Sequence, residues 1–591
     1  MLERLQILTM LLTAMLSISS KRAPVAFGFM SLRPPKIFAR PNYRYLSTRA
    51  QALTASSVPA DGETIYALSS GGMVAATAVA VIRLTGPQSH LALQTLLSKN
   101  QKETYENMKL PNPRYAALRM LYDPISSKGS SSDSDDDTDS TVGLKRDPLD
   151  SSLVLLFDGP KSFTGEDMIE IHSHGSRAVV QGVLAALERL GSPPYNLNIR
   201  PAERGEFTQR AYGSGKLGLV EVEALADLIV ADTSYQRLQA LRQLDGRLSD
   251  LYEGWRTELI KGLAHAEAVI DFGDDEDLDD DDLGIEEDVD SGQMGVWGAI
   301  RPKMQSLYLK MEKHLADAQR GEILRDGVKV AIVGVPNAGK SSLLNLLANR
   351  DAAIVSPIAG TTRDVVEVTL DLGGVRCVVS DTAGVREDGT TDDIIEIEGI
   401  KRARKAAAEA HVLVCMVDST EEAQGIAAIN DILKDIDMDE KKRNVLYVKN
   451  KIDLFAGVPE GGIISNENEF SSVAISAQYQ ISCETNSGVE SFIGALTNKV
   501  LERVSLPGDS DGKSPIEDEG AVITRARHRR HVESAVEALR RFVLKSGEGY
   551  MALDMAAEEL RLTASELGRI TGAVDVEDVL DVLFSDFCIG K

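Results

Sequence analysis

The residues of this chain with the clearest chemical potential lie in a few short stretches. The first is Gly334-x4-Gly339-Lys340-Ser341, set between the apolar run VKVAIV and the helix-like SLLNLL. A strand, a glycine-rich turn and a helix in that order aim backbone N–H groups and a helix N-terminus at phosphate oxygens. Lys340 can then reach the outer phosphates, and the Ser341 hydroxyl can ligate Mg²⁺. The second stretch, Asp381-Thr382-Ala383-Gly384, comes directly after the apolar VRCVVS. It places a carboxylate at a strand end, within reach of a metal through water, and an N–H that can sense a terminal phosphate. The third, Asn450-Lys451-Ile452-Asp453, follows the strand-like NVLYVK. Its Asp453 carboxylate can accept from both N1–H and the 2-amino group of guanine, a pair adenine does not offer. Ser482-Cys483-Glu484 fits a further loop against the base. Together they predict a module that uses GTP rather than ATP. Val385 stands where a water-orienting glutamine would follow the second stretch, so another group must orient water and offset transition-state charge.

The elements that position these stretches follow from the pattern around them. At 591 residues and 43% apolar content, the chain has length for roughly four domains and apolar residues for proper cores. Between 62 and 219 the texture is short β-rich runs (AVAVIRL, LVLLFDG, MIEIHSHG) with one helix-like stretch, RAVVQGVLAALERLG, which predicts an α+β domain. From 220 to 327 apolar residues recur at three and four, predicting the first half of an all-α domain. An α/β P-loop module of the Ras-like kind spans 328–507, and helical texture returns over 520–591. The expected fold class is therefore multidomain, with the α/β module inserted into the helical domain; that is tolerable when the termini of an insert lie close together.

Charge is unevenly spread. The formal net charge of −26 includes five acids in 131–140 and thirteen in 271–290, with no base in either run, and without them it is −8. They predict solvated acidic inserts, over 123–150 in the first domain and over 271–290 in the helical one. Residues 1–55 differ: after Glu3 no acid occurs until Asp61, while Lys21, Arg22, Arg33, Lys36, Arg40, Arg44 and Arg49 recur among Ser, Ala and Pro. That is the composition of a transit peptide, favouring the mitochondrion with a plastid as the alternative. The apolar stretch 7–18 is too short to cross a bilayer, and no membrane anchor is expected. Cys377, Cys415, Cys483 and Cys588 show neither CxxC pairing nor metal spacing, which fits a reducing compartment.

GVPNAGKSS, IAGTTRD (358–364), DTAG, NKID and the terminal CIGK resemble the MnmE (TrmE) family of tRNA uridine-modification GTPases, in that order. PRYA (113–116), GPKSFTGEDMIEIHSHG (159–175) and RPAERGEFTQRAYGSGKLGL (200–219) are similar to that family's folate-binding N-terminal domain. The resemblance implies GTP contacts from Asn337, Ala338, Gly339, Lys340, Ser341 and Ser342, and from Ser356, Gly360, Thr361 and Thr362. It extends them to Asp381, Thr382, Ala383 and Gly384, and to Asn450, Lys451, Asp453, Ser482 and Cys483. It implies Mg²⁺ on Ser341 and Thr362, and a K⁺ ion in the role of an arginine finger, held by Asn337 and by oxygens near Ser356, Ile358 and Thr361. Lys340, Thr362 and the water-orienting Glu396 would be catalytic; because three extra residues follow DTAG, Glu398 and Asp393 remain alternatives.

The same resemblance implies a homodimer, a tRNA substrate and a partner flavoprotein of the MnmG (GidA) type carrying FAD. It also implies a one-carbon unit from 5,10-methylene- or 5-formyl-tetrahydrofolate, delivered to C5 of the wobble uridine. Arg83, Glu170, Lys216 and the terminal Lys591 match its folate positions, and SSGG (69–72) departs from the family's Gly-Arg-Gly-Gly. Cys588, beside that site, is the candidate nucleophile, with packing as the alternative. His172 and His174 alternate on one strand and read as structural histidines rather than a metal pair. The basic run Arg525 to His531 reads as a solvated helix face or a tRNA phosphate contact.

Overall fold

A computed structural model of the protein describes residues 62–70, 77–99, 108–125, 146–273, 296–350, 352–354, 367–381, 392–434, 444–454, 477–504, 523–546, 553–574 and 577–590. The leader-like segment and most of both acidic inserts lie outside them.

The first sheet is built from β1 (Thr64–Leu68), β2 (Val79–Thr85), β3 (Ala117–Tyr122), β4 (Pro148–Phe157), β5 (Met168–His174) and β6 (Ile199–Pro201), with helices α1 (Ser89–Leu97) and α2 (Arg177–Leu190). Its strand order is β3-β4-β5-β2-β1-β6. Neighbours run antiparallel except β1 and β6. Alternation decides which side is covered. In β2, Ala80, Ile82 and Leu84 are buried while Arg83 and Val81 on the other face are half-buried. The buried face shares one core with Leu93 and Leu96 of α1 and Val183, Leu187 and Leu190 of α2. The Ser176 hydroxyl caps α2 by accepting from the Val179 N–H.

The acidic segment expected over 123–150 is shorter. Asp123 N–H donates to the Asp147 carbonyl at 2.8 Å, and β4 already begins at Pro148. Arg146 is buried, donating to the Thr95 and Ser98 carbonyls and to Tyr195 Oη. Pairing with β3 thus extends the strand back into what composition marked as insert. Likewise the expected 271–290 insert begins inside a helix, which runs to Gly273.

Helices α3 (Glu206–Gly213), α4 (Leu219–Ile229), α5 (Ser234–Leu244), α6 (Arg247–Gly273), α7 (Val296–Ala316) and α8 (Ala318–Asp326) follow. The second sheet then brings β7 (Val328–Val333), α9 (Lys340–Ala348), β8 (Glu367–Leu372), β9 (Val375–Asp381), α10 (Asp392–Glu409), β10 (Val412–Asp418), α11 (Glu422–Leu433), β11 (Asn444–Asn450), β12 (Ala477–Gln480) and α12 (Val489–Val504). The order is β12-β11-β10-β7-β9-β8, parallel apart from β8. β10 reads VLVCMVD and is buried throughout, as a strand covered on both faces must be. Leu343 and Leu347 of α9 and Phe492 and Leu496 of α12 pack one face; Ala407 of α10 and Ile429 of α11 pack the other.

Helices α13 (Ala526–Lys545), α14 (Leu553–Thr571) and α15 (Glu577–Asp586) complete the chain. Leu248, Tyr252, Leu259, Leu307 and Met311, before the second sheet, form one core with Val532, Leu539, Phe542, Leu560 and Leu567 after it. Most of the basic run of α13 is taken up by carboxylate pairs, and Arg530 is exposed. Arg525 pairs with Asp227 at 2.7 Å, Arg527 with Glu223 at 3.1 Å, Arg529 with Glu322 at 2.9 Å and His531 with Glu566 at 2.7 Å. His528 is buried, 2.7 Å from Glu223. Arg525, Arg527, His528 and Arg529 thus join the two halves of the helical domain, while His531 ties α13 to α14 within the second half.

Candidate functional site

The phosphate end of the site is set by the turn between β7 and α9. Gly339 has φ +99, and a Cβ there would lie 2.1 Å from Asn450 Nδ2; Gly334 would bring one to 2.2 Å from the Met416 carbonyl. Both positions therefore need glycine, and the loop is pressed against β10 and β11. Asn337 is also left-handed at φ +64, and it is exposed. Lys340, the first residue of α9, is buried and its Nζ donates to the Val335 carbonyl at 2.8 Å, across the mouth of the loop. Asp381 ends β9 opposite Ile332 of β7, two residues before Gly334. An anion fits at this helix start, since left-handed glycine opens the N–H groups and a lysine is already at hand.

The base end is held together by Asn450. Its Nδ2 donates to the Ala338 carbonyl at 2.9 Å and its Oδ1 accepts from the Cys483 N–H at 3.1 Å. One buried amide thus ties the phosphate loop, the NKID turn and the SCE loop to each other. Ser482 accepts from the Thr485 N–H, closing the last of these loops. Gly488, at φ +73, has no room for a Cβ against the Gln480 carbonyl. Asp453 is exposed at the mouth, in the short turn 452–454, so its carboxylate is available to a purine edge. It lies close enough to Cys483 to add to burial in pushing that thiol up to about 11, which leaves Cys483 un-ionised and inert at neutral pH.

Sequence reasoning missed Asp418. This residue ends β10, pairs with Lys451 Nζ at 2.6 Å and accepts from the Thr420 N–H and hydroxyl. Burial alone would raise its pKa, but those partners hold it below the usual carboxylate range. The signal for it is the position directly opposite Asn450 across two parallel strands, which appears only once the register is known.

A second constellation lies on the first sheet. Arg83 and Glu170 are cross-strand partners, with Nε to Oε1 at 2.8 Å, and His172 Nε2 stands 3.4 Å from the other Glu170 oxygen. His174 Nδ1 meets Asp150 at 2.7 Å, so each histidine has a carboxylate partner. Lys216 is exposed, its stem beside Gly165 in the loop whose Thr164 hydrogen-bonds Thr85, two residues from Arg83 on the same face. The tail after α15 reaches the neighbouring strand β1 of the same sheet. Phe584 and Phe587 pack with Leu219 and Val222 of α4, Ile589 bridges Arg204, and the Gly590 carbonyl accepts from Ser69 Oγ at 2.9 Å. A Cβ on Gly590 would approach Leu68 O at 2.5 Å and Ala67 Cβ at 3.2 Å, and Ala67 lies opposite Arg83. The exposed Cys588 is thus carried on a tail seated against β1, the strand next to the one that bears Arg83.

Several expected residues fall outside the description: Ser356, Ile358, Gly360, Thr361, Thr362, Thr382, Ala383, Gly384 and Lys591. Glu396 lies within α10. Among the described residues no helix is long and apolar enough to cross a membrane.

Comparison with known proteins decides the family. The profile described as MnmE helical domain matches residues 219–588, and that of the GTP-binding protein TrmE N-terminus matches 64–216. The chain belongs to the MnmE (TrmE) family. It is accordingly a GTPase, with a TrmE-type N-terminal domain and an MnmE helical domain. The mitochondrial 5-taurinomethyluridine tRNA synthase subunit GTPB3 of Rattus norvegicus is 40% identical over 94% of this chain and 99% of its own. That of Danio rerio is 42% identical over 92% and 96%. The tRNA modification GTPase MnmE of Paramagnetospirillum magneticum is 42% identical over 90% and 100%.

Proposed function

We propose that this MnmE-family protein is a mitochondrial GTPase that drives modification of the wobble uridine of tRNA at C5. The group added is of the carboxymethylaminomethyl or taurinomethyl type, built with an MnmG-type FAD protein and a tetrahydrofolate one-carbon unit. The observation that carries the reading is that one chain holds a P-loop nucleotide site and, on a separate sheet, a cation–carboxylate pair with its own cysteine-bearing tail against the neighbouring strand. The relatives named for tRNA modification, several of them mitochondrial, support it. So does the acid-poor, Arg- and Ser-rich composition of residues 1–55.

In the GTPase step, the start of α9 and Lys340 hold the phosphates, Asp453 selects guanine and Glu396 orients water. Ser341 and Thr362 would hold Mg²⁺, and Asn337 with oxygens at Ser356, Ile358 and Thr361 would hold K⁺, cations that offset charge developing between the β and γ phosphates. The α/β module is read as an insertion between the helical halves, over 328–507, and the protein as a homodimer. On the first sheet, Glu170 accepts from the N–H groups of a pterin, while Arg83, Lys216 and Lys591 meet the anionic side of the folate. Cys588 serves there as the nucleophile.

The test is purified full-length protein with its FAD-loaded flavoprotein partner, unmodified mitochondrial tRNA, GTP, Mg²⁺, K⁺, methylene-tetrahydrofolate, NADH and, in parallel reactions, glycine or taurine as the amine, followed by mass spectrometry of the nucleosides. A new C5-substituted wobble uridine, and a GTPase rate that collapses when Na⁺ replaces K⁺, are the expected results. An unchanged uridine overturns the modification reading, and an equal rate in Na⁺ overturns the K⁺ assignment.

A further inference from the structure

We propose that Asp418 is a positioning residue of the nucleotide site: it draws Lys451 across two strand ends, so that the lysine stem forms an apolar wall for the purine ring. The inference rests on the guanine-nucleotide reading above and names a residue that reading does not use.

The geometry is local and over-determined. β10 and β11 run parallel with Asp418 directly opposite Asn450, and neighbouring strands are about 4.8 Å apart. Lys451 is the next residue after Asn450, in a left-handed conformation at φ +64. A lysine has no intrinsic preference for that region, so something must hold it there. Its ammonium reaches back to Asp418 Oδ2 at 2.6 Å, which requires the four-carbon stem to run from the end of β11 over the end of β10. Asp418 is itself fixed, its other oxygen accepting from the Thr420 N–H at 2.9 Å and hydroxyl at 2.8 Å. Ser419 clamps the same corner, its N–H and its hydroxyl both donating to the Asn450 carbonyl.

The wall faces the right place. Lys451 lies between Asn450, which ties down Ala338 and Cys483, and Asp453, which offers the carboxylate that reads the purine edge. An extended methylene stem pinned at its charged end presents a flat apolar surface while its head stays paired. Contact with the ring face carries no base identity, whereas the Asp453 contact does. The two residues therefore separate affinity from selectivity.

Measure Kd for GTP and ITP by fluorescence competition, together with KM and kcat, for wild type and Asp418→Asn in the full-length protein. ITP lacks the 2-amino group that Asp453 reads. Expected are Kd values raised on the order of tenfold for both nucleotides with their ratio unchanged, and a loss that falls on KM. A changed GTP-to-ITP ratio would mean that the whole NKID turn has moved, and it overturns the proposal, as does an unchanged Kd. Lys451→Met keeps most of the stem but loses the anchored charge. In that background Asp418→Asn must have little further effect, and additive losses overturn the coupling. A wild-type protein that binds no GTP sinks the guanine-nucleotide reading instead.

Discussion

Replacing Gly590 by alanine tests the seating of the C-terminal tail. Gly590 sits at φ +90, where an L residue costs about 1–2 kcal/mol. The added methyl would lie 2.5 Å from Leu68 O and 3.0 Å from its carbonyl carbon, both backbone atoms that cannot swing aside. Relief requires the last residues to lift, which breaks the Ser69–Gly590 hydrogen bond, worth about 1 kcal/mol, and strains the Arg204–Ile589 bridge. The local cost is therefore about 2–4 kcal/mol. Phe584 and Phe587 remain packed on α4, so the lift stays confined to the end and global stability is nearly unchanged. Hydrogen exchange of the amides at 588–590 should quicken by roughly 30- to 1,000-fold, the same free energy expressed as an opening constant. GTP hydrolysis should persist while uridine modification is lost. Exchange within threefold of wild type would show that the tail does not rest on Leu68, and would remove Cys588 and Lys591 from the sheet site.

Other outcomes follow from the same structure. Glu223→Ala leaves Arg527 and His528, with side chains 15% and 1% exposed, facing an empty buried partner; it should lower unfolding stability by about 3–5 kcal/mol, and a loss under 1 kcal/mol in urea titration would contradict the joint. His314 is held at about 4 by burial, with nearby His528 adding to it, so between pH 6.5 and 4 the unfolded chain binds a proton that the folded protein refuses. Stability should fall as pH drops through that window, by about 3 kcal/mol in all, and His314→Phe should flatten that part of the profile; an unaltered profile would exclude His314 as its source. Glu396→Ala should abolish most GTP turnover with nucleotide affinity retained, and full turnover in that variant would transfer the water-orienting role to Glu398 or Asp393.

What the sequence disclosed and what it concealed divide along sequence separation. The phosphate loop was legible because its chemistry is written in consecutive residues: Gly334, Gly339 and Lys340 act through the turn they themselves form. Asn450 was recognised from its motif, yet its job as a brace needed Ala338 and Cys483 brought to it from two other loops. Asp418 carried no signal, since a carboxylate at the end of an apolar strand is ordinary until parallel pairing puts it beside the NKID turn. The basic run of α13 shows the same limit with the opposite error. Six basic residues in seven positions look like a surface for phosphate when their partners are unknown. Glu223 and Asp227 lie some 300 residues earlier, and α4 delivers both to the start of α13, where the run becomes the electrostatic seam of one domain. With Arg525, Arg527 and His528 already paired there, an RNA backbone would have to break largely buried pairs to reach them, and removing one partner of such a pair costs more than a phosphate contact returns. Arg530 of the same run is exposed, so a phosphate contact made by this run falls to Arg530, while its paired neighbours hold the helical domain in one piece.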